Sequence, residues 1–294
     1  MEVAWSRLLP KLLFFTPLML LVTVYYVYPA IMTFYMSLFS RYGEFVGFEN
    51  YVRFFLSRDT INLSNFPKPP MGTIVHNIIW ILVHLPLTIV LGLLLAVLLN
   101  NVKGSTIVRS LIMLSMVIPM AVGGIIVRFT FSGSVGIVPL LCRFLGLHDL
   151  AVTWTVHPET ALLACILGSV WMWTPFTMIV YLAGLTTIPR EYYEAAEVDG
   201  ATPLQKFIYI TLPLLKAPTI VAVFMTILTE LKVFDLVYVA TYGGPGGSSN
   251  VLALQMWIYA FDLLDFNRAA ALAVFLTVIS LCVAIPLLRI RVRM

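Results

Sequence analysis

Thr73–Leu99 reads TIVHNIIWILVHLPLTIVLGLLLAVLL and contains no Asp, Glu, Lys or Arg. A helix needs about 20 apolar residues to cross about 30 Å of hydrocarbon, so this run is long enough to span a bilayer. In lipid every backbone polar group must be satisfied within the chain, which selects helices over open strands. The composition extends that reading to the whole sequence, which is 61% hydrophobic and 11% charged, outside the averages of soluble domains. Further apolar windows lie at Leu12–Ser40, Ser105–Phe131, Thr160–Leu185, Pro218–Ala240 and Ala269–Leu288. The expected fold is all-α, a polytopic membrane helical bundle with about six transmembrane helices, and residues 1–294 read as one transmembrane domain.

Several function classes drop out on composition. The net charge of +4 is small and scattered beside hydrophobic ends, as topology signals are, and gives no reason to expect nucleic acid. Cys142, Cys165 and Cys282 are isolated, and His76, His84, His148 and His157 have no metal spacing, so neither a disulfide framework nor a metal site is expected. His84 reads as a packed or hydrogen-bonded residue. No G-x-x-x-x-G-K-[ST] occurs, so ATP phosphates have no P-loop here. Arg7 and Lys11 precede an apolar run longer than a signal-peptide core, which reads as a retained first span. Pro29, Pro86, Pro119 and Pro175, with Gly92, Gly123 and Gly124, fall inside the windows, where kinks are expected.

The cations fix an orientation. Arg7, Lys11, Lys103, Arg109, Arg190, Lys206, Lys216, Arg289, Arg291 and Arg293 fall on one side, while the other holds Arg41, Arg53, Arg58, Lys68 and Arg143. The richer side is expected to be cytoplasmic, with both termini on it. On that side lies Thr187–Ala217, which reads as two short helices. Pro189 suits a first helical turn, Glu191, Glu194 and Glu197 share a face, and Gly200 can end the helix in the left-handed region. Thr202-Pro203-Leu204-Gln205 reads as a capping box opening a second helix that Pro213 would terminate. Such a knuckle either docks into a groove on a partner or lies as an amphipathic pair on the membrane surface.

A resemblance decides between the two. Glu194-Ala195-Ala196, Asp199-Gly200-Ala201, Phe207, Ile210, Leu212-Pro213 and Pro218 resemble the EAA signature of permease subunits in ABC importers, and no position of the core pattern departs. The resemblance implies that Glu194, Ala195, Ala196, Asp199 and Gly200 contact an ATPase dimer, which would hold ATP and Mg. Phe45-Val46-Gly47-Phe48-Glu49-Asn50-Tyr51, Phe234-Asp235 with Tyr242-Gly243-Gly244-Pro245, and Phe266 to Ala271 resemble stretches of the carbohydrate branch, similar to its larger maltose-type and glycerol-phosphate-type permeases. Asn267-Arg268 departs from the glycine-aromatic pair usual there, which puts the start of the last span in doubt. The implied partners are a second permease forming a heterodimer, an extracytoplasmic sugar-binding protein docking near Gly243, Gly244 and Pro245, membrane lipid and a sugar. The location implied is the cell membrane.

Two groups suggest the path of that sugar. Glu230 lies mid-window, where an ionisable side chain costs about +2.5 to +3.5 kcal/mol unless it faces a cavity or a partner. Thr226 is one turn earlier on the same face. Lining a pathway and pairing with Lys232, Asp235 or a second permease both remain open. Ser169, Trp171, Trp173, Thr174 and Phe176 cluster around Pro175, a composition that suits either sugar stacking or helix packing. Resemblance by position, not identity, places Ser169, Trp171, Trp173, Phe176, Thr226 and Glu230 on the sugar path, and the differing residues imply a different sugar. A secondary transporter using Glu230 or Asp235 would be expected to show inverted repeats, and a membrane enzyme a set of convergent reactive groups. Neither is visible in the sequence.

Overall fold

The computed structural model describes residues 14–64, 66–100 and 102–289. Arg7, Lys11, Arg291 and Arg293, which bear on the topology, lie outside the described residues. Helix α1 spans Phe14–Ser37, α2 Glu49–Leu56, α3 Thr73–Asn100, α4 Ser105–Val117, α5 Met120–Thr130 and α6 Ile137–Phe144. They are followed by α7 Pro158–Thr186, α8 Arg190–Val198, α9 Pro203–Leu214, α10 Lys216–Glu230, α11 Asp235–Ala240, α12 Leu252–Trp257 and α13 Phe266–Arg289. Four of these helices are long and apolar enough to cross a membrane, or up to six if each of two bent pairs is one span. The chain divides into two compact units, 1–56 with 256–277, and 57–255 with 278–294.

In the first unit the Phe45–Tyr51 stretch closes the end of α1. The last carbonyls of a helix lack partners within it. Here the buried Asn50 amide donates to Ser37 O at 2.9 Å and Phe39 O at 2.8 Å, while Tyr51 Oη and Ser37 Oγ lie 2.6 Å apart. Helix α13 starts at Phe266, three residues before the expected Ala269, because the Asp265 carboxylate accepts from the Arg268 N–H at 3.1 Å and caps it. Asn267, the departing residue, donates its amide to Met36 O at 2.9 Å.

The second unit is organised on α3 and α7. The buried residues of α3 are Thr73, His76, Asn77, Trp80, His84, Thr88, Gly92 and Ala96, a helical stripe rich in polar groups. Alpha-7 runs through Pro175, whose missing N–H frees the Trp171 carbonyl. Ser115 Oγ of α4 donates to that carbonyl at 3.2 Å. Gly92 brings α3 against α7, since an added Cβ would fall 2.0 Å from Thr177 Oγ1. Overpacking a filled core costs about 1–3 kcal/mol or more, so Gly92→Val is expected to lower the thermal midpoint of the detergent-purified protein by several degrees. An unchanged midpoint would contradict the close approach.

Two expected spans are not single straight helices. Ser105–Phe131 breaks at Ile118–Pro119, where α4 and α5 meet at 102°; the proline forces Ile118 into an extended conformation. Pro218–Ala240 is also divided. Alpha-10 stops at Glu230, a non-helical stretch follows to Phe234, and α11 resumes at Asp235, while α9 and α10 meet at 64°. Glu230 therefore sits at a helix end, not mid-helix. Pro213 stands one residue before the end of α9 at Leu214, close to where it was expected to end that helix. A π turn over Phe207–Thr211 precedes it.

Candidate functional site

Glu230 and Thr226 are both buried on one face of α10, the i, i+4 placement expected. Glu230 pairs with His84 of α3, Oε1 lying 2.5 Å from Nδ1, and no ion pair joins it to Lys232 among the described residues. The other ring nitrogen of His84, Nε2, lies 3.1 Å from Ser169 Oγ on α7. Thr88 Oγ1 donates to the His84 carbonyl at 2.6 Å. Glu230 Oε2 is buried without a hydrogen-bond partner.

This cluster opens on a cleft of about 440 Å³ whose lining includes Trp80, His84, Ser169, Trp173, Glu230, Lys232, Phe234 and Asp235. The break after Glu230 creates it, because non-helical backbone at membrane depth is tolerated where it lines a cavity. Trp173 stands between the cleft and Thr226, its Nε1 donating to Thr226 Oγ1 at 3.0 Å, with the Phe176 ring 5.0 Å from its own.

Of the six expected pathway residues, Ser169, Trp173 and Glu230 line the cleft, Thr226 lies behind it, and Phe176 packs on Trp173. Trp171 stands apart from the cleft. It lines a separate apolar cavity with Val127, Phe131 and Gly168, since a helix advances about 100° per residue and positions 171 and 173 face opposite ways. The sequence reading missed His84 as the centre of the cluster. Its signal was the polar stripe His76, Asn77, His84, Thr88 at helical spacing within an otherwise apolar span.

The cytoplasmic-loop residues form an exposed knuckle. Pro189 precedes α8 at its N-cap instead of entering its first turn. Gly200 takes φ +75°, and the Gly200 and Ala201 N–H groups donate back to Glu197 O and Ala196 O at 3.0 and 2.8 Å, a Schellman closure. Thr202 and Gln205 form the expected capping box. Glu194, Ala195, Asp199 and Gly200 are exposed, and Ala196 is half-buried. Two ties hold α8 to α9: Lys206 Nζ to Glu197 Oε1 at 2.7 Å, and Tyr193 Oη to Thr211 Oγ1 at 2.9 Å. Tyr193 and Ile210 also pack on a core of Ala96, Met178, Tyr181, Leu185, Ile188 and Leu215, which joins the knuckle to α3 and α7.

Gly243, Gly244 and Pro245 belong to a loop folded on itself. Ser249 N–H donates to Gly243 O at 3.1 Å and Ser249 Oγ to Gly244 O at 2.8 Å. The loop is anchored to the α3 stripe, with the Asn250 carbonyl 2.8 Å from His76 Nδ1 and Leu252 N–H donating to Asn77 Oδ1 at 2.8 Å. Gly243 is buried, Gly244 and Pro245 half-buried, and Gly246 exposed. Helix α12 begins just beyond the loop, at Leu252. Among the described residues no three His, Cys, Asp or Glu side chains gather as a metal site would.

Comparison with known proteins places this geometry. Residues 88–291 match the family described as binding-protein-dependent transport system inner membrane component. A probable ABC transporter permease protein of Pyrococcus horikoshii is 50% identical over 97% of this chain and 99% of its own length. The trehalose/maltose transport system permease of Thermococcus litoralis is 32% identical over 93% and 90%. A crystal structure of a bacterial ABC transporter importing the acidic polysaccharide alginate superposes with a TM-score of 0.72 over 97% of this chain and 93% of that one, at 22% identity.

Proposed function

Because this chain belongs to the family of inner membrane components of binding-protein-dependent transport systems, we propose that it is the permease subunit of an ATP-driven sugar importer. The observation that carries the reading is the cleft. A buried His84–Glu230 pair beside the rings of Trp80, Trp173 and Phe234 is costly inside an apolar bundle and suits a path for a polyhydroxylated cargo. Rings pack on the apolar faces of a sugar, and the hydrogen-bonding groups meet its hydroxyls.

In this reading the exposed face of α8, with Glu194, Ala195, Ala196, Asp199 and Gly200, seats in a groove of the ATPase, which holds ATP and Mg. The Tyr193 and Lys206 ties transmit the ATPase movement to the ends of α3, α7 and α10 as hinge motion. A second permease completes the pathway, and a sugar-binding protein docks from outside near Gly243, Gly244 and Pro245. Both termini lie in the cytoplasm of the cell membrane, in keeping with the cation distribution. The names of the relatives span trehalose/maltose and an acidic polysaccharide, so similarity alone does not choose the cargo.

Co-expression with a candidate second permease and ATPase tests the assembly. The tagged chain is expected to retain both through purification, and cysteine at Glu194 to cross-link to a cysteine in the ATPase groove. Purification of the chain alone, with no cross-link at any groove position, would contradict the docking.

A further inference from the structure

Asn62-Leu63-Ser64 is the one place in the sequence where an asparagine has Ser or Thr two positions on, and the residue between is not proline. That spacing is the acceptor motif of N-linked glycosylation, which modifies surface loops outside the cytoplasm. Three residues can match by chance, so the place of the motif in the fold decides its value. Residues 57–72 join α2 to α3 and are pinned by two bonds, Thr73 N–H donating to Asp59 O and Asn62 N–H to Met71 O, both at 2.8 Å. Between these ties Leu63 and Ser64 are exposed and Asn62 is partly exposed.

The Asn62 side chain is held by its own turn. Ser64 Oγ donates to Asn62 Oδ1 at 2.5 Å, and Ser64 N–H donates to the same oxygen at 3.3 Å. The hydroxyl and the amide of the motif therefore share one surface turn. Asn62 Nδ2, the atom to which a glycan is joined, donates to no group among the described residues and is not buried. The exposed side chains of Ile61, Leu63 and Phe66 surround it, apolar surface that a bulky, solubilising glycan would cover.

The side of the membrane follows from α3. Its 28 residues rise about 42 Å. The first of them, Thr73, is tied to this loop, while Ala96 near its other end lies in the core against which Tyr193 and Ile210 of the knuckle pack. The inference rests on the reading in which that knuckle faces the cytoplasm, which puts Asn62 outside. We propose that Asn62 is a site of N-linked glycosylation, accepting an oligosaccharide from a lipid-phosphate donor through a membrane oligosaccharyltransferase. The step breaks the bond from the sugar's anomeric carbon to the donor phosphate oxygen, which leaves with the electron pair. A bond forms from that carbon to Asn62 Nδ2, which gives up one proton, and nothing is oxidised or reduced. The chain supplies the acceptor, and the transferase activates an amide nitrogen whose lone pair is shared with its carbonyl.

The test purifies the tagged full chain from membranes of its own organism and reads its peptides by mass spectrometry. Most copies of the peptide holding Asn62 are expected to carry a glycan mass on that residue. Ser64→Thr keeps the hydroxyl and should keep the glycan. Asn62→Gln and Ser64→Ala should each lose it completely, with the chain still present in the membrane. Recovery of the Asn62 peptide only in unmodified form, or a glycan that persists in Ser64→Ala, overturns the proposal. Arg58→Cys, at an exposed position of the same loop, separates this failure from that of the orientation when whole cells are treated with a membrane-impermeant maleimide. Labelling of that cysteine without a glycan on Asn62 leaves the orientation standing and sinks the modification alone. Labelling only in inverted vesicles puts the loop in the cytoplasm, and both readings fail.

Discussion

Replacing His84 with alanine is expected to destabilise the protein by about 3–5 kcal/mol, the cost of removing one partner of a buried pair, and to abolish ATP-driven uptake. The substitution leaves Glu230 at 2% exposure with neither oxygen engaged. Glu230→Ala should cost less, because it removes the buried carboxyl group itself and His84 keeps Ser169 at 3.1 Å. The double variant should then recover part of the loss seen in His84→Ala. Thermal unfolding in detergent measures all three, and additive losses in the double variant would mean that the pair is not coupled.

The second large effect concerns the knuckle. Gly200 holds φ +75° with nothing near its Cβ position, so a side chain there strains the backbone without a clash. Valine should cost about 1–2 kcal/mol locally and turn α8 away from α9. Combined with Glu194→Lys on the exposed face of α8, it is expected to lower sugar moved per ATP hydrolysed by at least about tenfold, the scale of a typical coupling free energy. The complex should still assemble and hydrolyse ATP. Normal stoichiometry in the doubly changed protein would mean that this knuckle does not couple.

Legibility in the sequence follows the range of the interactions. The Gly200 closure and the Thr202–Gln205 box rest on contacts within five residues, so residue types alone announce them. The break at Ile118–Pro119 has a proline to mark it. The break after Glu230 has no such mark, because Leu231-Lys232-Val233-Phe234 contains neither Gly nor Pro, and the tertiary pairing with His84 on a distant helix accompanies it. Pro213 likewise marks the end of α9, which comes one residue later at Leu214.

The site divides along the same line. Thr226 and Glu230 share a face at one-turn spacing, which the sequence makes plain. Trp171 was placed with Trp173 by resemblance of position, and helical geometry separates them. His84 needed the whole α3 stripe to be seen, because one histidine in an apolar run carries no information about what meets it across 146 residues of sequence. The Asp265 cap is a local contact, from side chain to an N–H three residues on, and is of the kind that residue type announces.

The most direct measurement is uptake into sealed vesicles holding this chain with its partner permease, ATPase and binding protein. Sugar should accumulate only when ATP and Mg are supplied on the ATPase side, and should continue when proton and sodium gradients are collapsed. Accumulation without ATP, or driven by an ion gradient alone, would contradict the account.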